Sequence, residues 1–308
     1  MKYIDIMNGP QNASAIIQGC MRMPSLSAEE AAEVIRTAYE CGINFFDHAT
    51  CYGMGEAEER FAQAFPLTGI KREKIFLQSK CGICPERSEF DWTKENIIAS
   101  VDGILGRLKC EYLDTLLLHR PDLLFDPEEV AEAFDKLEEA GKVCRFGVSN
   151  LMPMQIDLLK KYVKQPLVIN QVQLSLEQSQ LIDQPLYMNN KTTDMSVNRD
   201  GSALDYCRLN DITIQAWSPL QVGMFGGTFI DNPDYPELNK VLAQLADREH
   251  VSKTAIALAW ILRHPAKMQA IIGTMNPAHI KDACDATNVE LSHHDWYALY
   301  LASGKFLP

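Results

Sequence analysis

Eight short runs of apolar and β-branched residues, each followed by a longer stretch with apolar residues at helical spacing, succeed one another along 308 residues. The runs fall at residues 15–20, 44–47, 75–80, 113–119, 144–148, 168–173, 212–217 and 270–272. The helical stretches fall at 27–41, 56–65, 94–108, 127–140, 154–162, 202–209, 252–263 and 277–287. Ser27 and Glu30 have capping-box spacing with Gly42 as the stop, and Asp126, Pro127 and Gly141 mark both ends of another helix. Runs such as LDTLLLH and IFLQSK are apolar nearly throughout, as in parallel strands covered on both faces. Right-handed crossovers leave two architectures, an open doubly wound sheet and a closed barrel. Eight consecutive units without a break in composition predict the closed form, a (β/α)8 TIM barrel, for which about 250 residues is usual. Long loops at 174–201 and 219–235 follow strands six and seven, on the face where such barrels build sites. Residues 236–250 predict an extra helix, and 292–303 a last helix outside the eight units.

Composition narrows the partners. With 46% hydrophobic and 23% charged residues the chain can bury a large core without disulfide or metal staples. Its net charge is −12 and no basic cluster matches a phosphate backbone, so nucleic acid and anionic membranes are excluded as expected partners, while a single basic pocket for a small anion is not. No run approaches the ~20 apolar residues of a membrane helix, and residues 1–8 carry no basic segment leading into an apolar one. Nine scattered cysteines suit reduced thiols, and the expected location is cytoplasmic. Cys81 and Cys84 in CGIC have redox or half-zinc spacing without a second ligand pair, so they read as loop thiols, and no metal site is expected. His293, His294 and Asp295 read as a solvated helix start.

The polar residues at the ends of these strands carry the chemistry. Asp47 ends strand two with Tyr52 in the loop beyond, Lys80 ends strand three, and His119 ends strand four. An acid, an ammonium, an imidazole and a phenol on one rim suit proton transfer to a carbonyl oxygen. A free tyrosine has a pKa near ~10, and a neighbouring ammonium favours the phenolate, so Lys80 is expected to acidify Tyr52 while Asp47 keeps Lys80 charged.

The segments FFDHATCYGMGEAE, IFLQSK, LDTLLLHRPD, GKVCRFGVSN, INQVQLS, QAWSPL and IIGTMNPAHI, in order over nearly the whole chain, resemble the aldo-keto reductase superfamily. The resemblance implies a single barrel domain over residues 1–308 that reduces a small-molecule aldehyde or ketone with NADPH, NADH being the alternative cofactor. It assigns Tyr52 as acid, Lys80 and Asp47 as its tuners, and His119 as the group that orients the carbonyl. It also implies cofactor contacts: Ser149, Asn150 and Gln171 for the carboxamide, Trp217 for ring stacking, Ser218, Leu220 and Gly223 for the pyrophosphate. Gly273, Thr274, Asn276, His279 and Asp282 fall around the helix start that would hold the adenosine phosphate.

The chain departs from the family where the 2′-phosphate is gripped. Lys or Arg is common near the positions of Met275 and His279, and Asn near Ala283, whereas here only Lys281 offers a fixed charge. Two rival readings stay open: a nucleotide-binding redox sensor, as the family's likeness to potassium-channel β subunits allows, and a Schiff-base lyase using Lys80. Substrate and oligomeric state are unassigned, and a monomer is compatible with the sequence.

Overall fold

The computed structural model describes residues 1–187, 201–222 and 226–306. Eight parallel strands close into a barrel: β1 (Ile16–Gly19), β2 (Phe45–Asp47), β3 (Phe76–Cys81), β4 (Thr115–Leu118), β5 (Phe146–Ser149), β6 (Leu167–Gln173), β7 (Thr213–Trp217) and β8 (Gln269–Ile272), with β8 pairing back onto β1. Around them run α1 (Ala28–Glu40), α2 (Glu56–Thr68), α3 (Lys94–Leu108), α4 (Pro127–Glu139), α5 (Pro153–Lys160), α6 (Gln180–Tyr187), α7 (Ala203–Leu209), α8 (Pro236–Glu249), α9 (Lys253–Leu262), α10 (Pro277–Cys284) and α11 (His293–Ala302). The expected strands and helices are all present, displaced by a few residues at their ends, and among the described residues no helix is long and apolar enough to cross a membrane.

Local chemistry explains the boundaries. Ser27 and Glu30 close a reciprocal capping box at the start of α1, and Asp126 accepts the Glu128 amide at 2.9 Å ahead of Pro127 in α4. Gly141, at φ 67°, takes the left-handed conformation that ends α4.

Three features were not anticipated. An antiparallel hairpin joins Tyr3–Ile4 to Ala13–Ser14, and Ile6 and Ala13 enter the barrel's inner cluster with Ile17, Phe45, Leu117, Ile169 and Ile271. A second hairpin, Ile83–Cys84 with Glu89–Phe90, follows β3. The long loop expected at 174–201 contains α6, hidden by the proline at position 186. At the start of α11, His293 and His294 are exposed as expected, but Asp295 is not solvated: it is buried, takes two hydrogen bonds of 2.9 Å from Arg248, and caps the helix with Ser292. Ion pair and cap together hold its carboxyl well below the usual carboxylate range.

Candidate active site

Strand register brings the acid and the cation together. Asp47 ends β2 opposite Gln78, and Lys80 lies two residues further along β3, so both point into the C-terminal mouth. Lys80 is fully buried, and its ammonium donates to Asp47 Oδ2 at 2.6 Å, Asp47 Oδ1 at 2.8 Å and the His48 carbonyl at 2.8 Å. Burial, the largest influence, disfavours its charge, but Asp47 and Tyr52 together more than compensate, so Lys80 stays an ammonium with a raised pKa.

Tyr52 and His119 flank that pair. The ammonium lies 5.0 Å from the Tyr52 ring centroid, and the Tyr52 and His119 rings meet edge to face at 6.0 Å. His119 lies just beyond β4 rather than at its last residue, fixed by its amide on the Cys81 carbonyl at 2.9 Å. The expectation that Lys80 acidifies Tyr52 is corrected: burial is the largest influence and pushes the phenol up to about 12, with Lys80 pulling down and Asp47 pushing back. His119 moves well below the ordinary histidine range, first through burial and then through Lys80 and Arg120, so its imidazole is neutral.

Beneath the rim, the barrel interior holds a chain of amides. Gln78 and Gln171 each donate to Asp47 Oδ1, at 2.7 and 3.1 Å, and both also donate to Gln215 Oε1, at 2.8 and 3.1 Å. Gln215 donates to Gln269 at 3.0 Å, and Gln269 to the Ser14 carbonyl at 2.7 Å. A carbonyl and a carboxylate can only accept, so the two ends of the chain agree on which way every amide faces. Gln171 must turn its NH2 inward, and its Oε1 takes no hydrogen bond among the described residues.

The residues expected at a nicotinamide gather at the ends of β5, β6 and β7. Ser149 donates to the Gln171 carbonyl at 2.9 Å and accepts from Asn150 at 2.8 Å, so their polar groups are already joined. Asn150, at φ 60°, adopts the left-handed conformation asparagine tolerates and accepts from the Trp217 indole at 3.1 Å. Trp217 and Ser218 are half-buried at the mouth with Leu220, while Gly223 lies outside the described residues. A flat indole beside a free amide oxygen fits a planar ring bearing a carboxamide, and this donor set is where such a cofactor would sit.

At the far side, Thr274 accepts the Asn276 amide, and Asn276 caps α10 by accepting from Ala278 at 2.9 Å. One of the helix's free N–H groups is therefore already used. Gly273 and His279 are exposed and Asp282 is half-buried. Lys281 is not the only fixed charge near here: Arg22, from the loop after β1, donates to the Gly273 carbonyl at 3.1 Å. Of the CGIC thiols, Cys81 is buried, with burial pushing it up to about 12, and Cys84 takes a contact from Arg87 at 3.1 Å. Sequence reasoning also missed Gln78, Gln215, Cys51 and Arg120. The signal for the glutamines was a polar residue inside an otherwise apolar strand.

Residues 15–300 match a family model described as the aldo/keto reductase family. The chain is 33% identical over 301 residues to the uncharacterized oxidoreductase YcsN of Bacillus subtilis, covering 94% of each. It is 33% identical over 304 residues to a 6-dehydroglucose reductase of Agrobacterium fabrum, covering 95% of each. A crystal structure of a Bombyx mori aldo-keto reductase in complex with NADP superposes with a TM-score of 0.76 at 20% identity, over 98% of this chain and 92% of that one, which is a likeness of fold.

Proposed function

Because this chain belongs to the aldo/keto reductase family, we propose that its barrel, taken as one domain over residues 1–308, reduces aldehydes or ketones to alcohols with NADPH, Tyr52 supplying the proton. The observation that carries the reading is the buried Lys80–Asp47 pair at 2.6 Å, set beside Tyr52 and a neutral His119 at the C-terminal mouth.

When bound, the reduced nicotinamide supplies the hydride that reduces the carbonyl carbon. The carbonyl oxygen, receiving the electron pair of its double bond, takes the Tyr52 proton. A phenol at about 12 is fully loaded at neutral pH, and an oxygen becoming an alkoxide is a much stronger base than a phenolate, so transfer runs downhill. The phenolate left behind faces the Lys80 ammonium, which Asp47 keeps charged. His119 is placed to hydrogen-bond the same oxygen and set its orientation. Ser149, Asn150, Gln171 and Trp217 would hold the nicotinamide, with Ser218 and Leu220 toward the phosphates. Arg22 and Lys281 supply the positive charge that favours NADPH over NADH.

Lys80 commits its ammonium to three acceptors, which leaves no free amine and weighs against a Schiff-base role. The reading is tested by following oxidation of NADPH, and separately NADH, with aromatic aldehydes and dicarbonyls, alongside Tyr52→Phe. Turnover lost in the variant, with cofactor affinity by calorimetry retained, supports it; equal turnover in the variant overturns it.

A further inference from the structure

Every other arginine among the described residues places a guanidinium N–H on an oxygen acceptor. Arg120 does not, and no carboxylate among those residues pairs with it, in a chain carrying 41 Asp and Glu. It is half-buried, directly follows His119, and holds its guanidinium carbon 5.7 Å from the centroid of Trp217. The unpaired charge is therefore felt by the His119 imidazole and lies beside the Trp217 indole.

A partly desolvated cation without a counter-charge is unfavourable, and proteins ordinarily pair such groups. Burial alone moves the Arg120 guanidinium, downward, with no carboxylate acting against it. The group remains a cation at any working pH, and its planar fork matches a carboxylate bidentately. It is half-buried at the same rim as His119 and Trp217, with no acceptor on it among the described residues.

We propose that Arg120 is a substrate-binding residue that takes a carboxylate carried by the carbonyl compound, so that the substrates are oxo acids or aldehyde acids rather than neutral carbonyls. This rests on the reading of the Tyr52 and His119 rim as a carbonyl-reducing site. The missing partner is then the substrate itself: the ion pair forms only when substrate binds, and it anchors the molecule beside the oxygen that His119 orients.

The test compares kcat/KM for 2-, 3- and 4-carboxybenzaldehyde with the matching carbamoylbenzaldehydes, which keep the shape and lose the charge, in wild type, Arg120→Gln and Arg120→Lys. Wild type should prefer the acid of at least one pair by about tenfold or more, through KM, as expected for a charge-assisted hydrogen-bonded pair. In Arg120→Gln the ratio should collapse toward one, and in Arg120→Lys, which keeps the charge without the fork, it should lie between; the lysine variant serves alone if the glutamine variant does not fold. A wild type indifferent to the charge, or a preference that survives Arg120→Gln, overturns the proposal. So does weakened NADPH binding in Arg120→Gln with acid and amide affected alike, which would assign the anion to the cofactor. Carbamoylbenzaldehydes turned over without acid preference leave the reductase reading standing, whereas no turnover of any aldehyde removes that reading and the subsite with it.

Discussion

The Cys51 sulfur lies 3.6 Å from Nδ1 of His119, one residue before Tyr52. Burial is the main influence on this thiol and raises its pKa, so it stays protonated beside the neutral ring. In the tautomer that carries the ring proton on Nε2, the thiol donates to Nδ1 and the Nε2–H is the group that faces a carbonyl oxygen. Cys51→Ala should lower kcat/KM for aldehyde reduction by about three- to tenfold, and Cys51→Ser, which restores a donor, should recover most of it in steady-state assays.

The same buried rim predicts an unusual pH profile. On the proposed mechanism reduction draws on protonated Tyr52, whose pKa is pushed up to about 12, and His119 titrates well below the ordinary histidine range. An acid with a raised pKa keeps its proton as pH climbs, so kcat/KM should stay flat from about pH 6 to about pH 9, a window that lies inside those two ionisations. An inflection near neutrality would contradict both assignments.

His48 predicts acid lability. Its ring is fully buried edge to face against Phe61 at 4.8 Å, and neither ring nitrogen has a partner among the described residues. Burial first, then Lys80, lowers its pKa from 6.5 to about 3. The folded state refuses a proton that the unfolded state accepts, so this contribution is complete above pH 6.5 and erodes as pH falls toward 3. Urea denaturation should show wild type losing about 1.4 kcal/mol more per pH unit across that window than His48→Leu.

Removing the middle of the amide chain should destabilise the barrel. Gln215→Leu strips Gln269 Oε1 of its donor, although Gln78 and Gln171 keep Asp47 as an acceptor. A loss of about 1–3 kcal/mol is expected, read as a lower urea midpoint at unchanged slope.

The barrel was legible because parallel strands buried on both faces write themselves as apolar runs, and a polar residue at the end of such a run stands out, as Asp47 and Lys80 do. The hairpins were not legible, since strands two residues long carry no periodicity. Lys80 beside Tyr52 was readable as a proximity, but the sign of the phenol's shift was not, because burial outweighs the ammonium and burial depends on the whole assembled rim. Arg120 sits in the recognisable HRPD segment, yet nothing in a linear sequence reveals that an arginine lacks a partner.

Trp217 has a consequence for how the protein can be watched. Trp92 and Trp260 are fully buried, and Trp296 is stacked on Trp260 at 4.9 Å, so Trp217 is the indole that lines the mouth, tied to Asn150 and overlooked by Arg120. Anything that settles on that ring or draws the guanidinium away from it alters the emission of one fluorophore against a constant background. The molecule carries its own optical gauge of occupancy, needing neither label nor turnover.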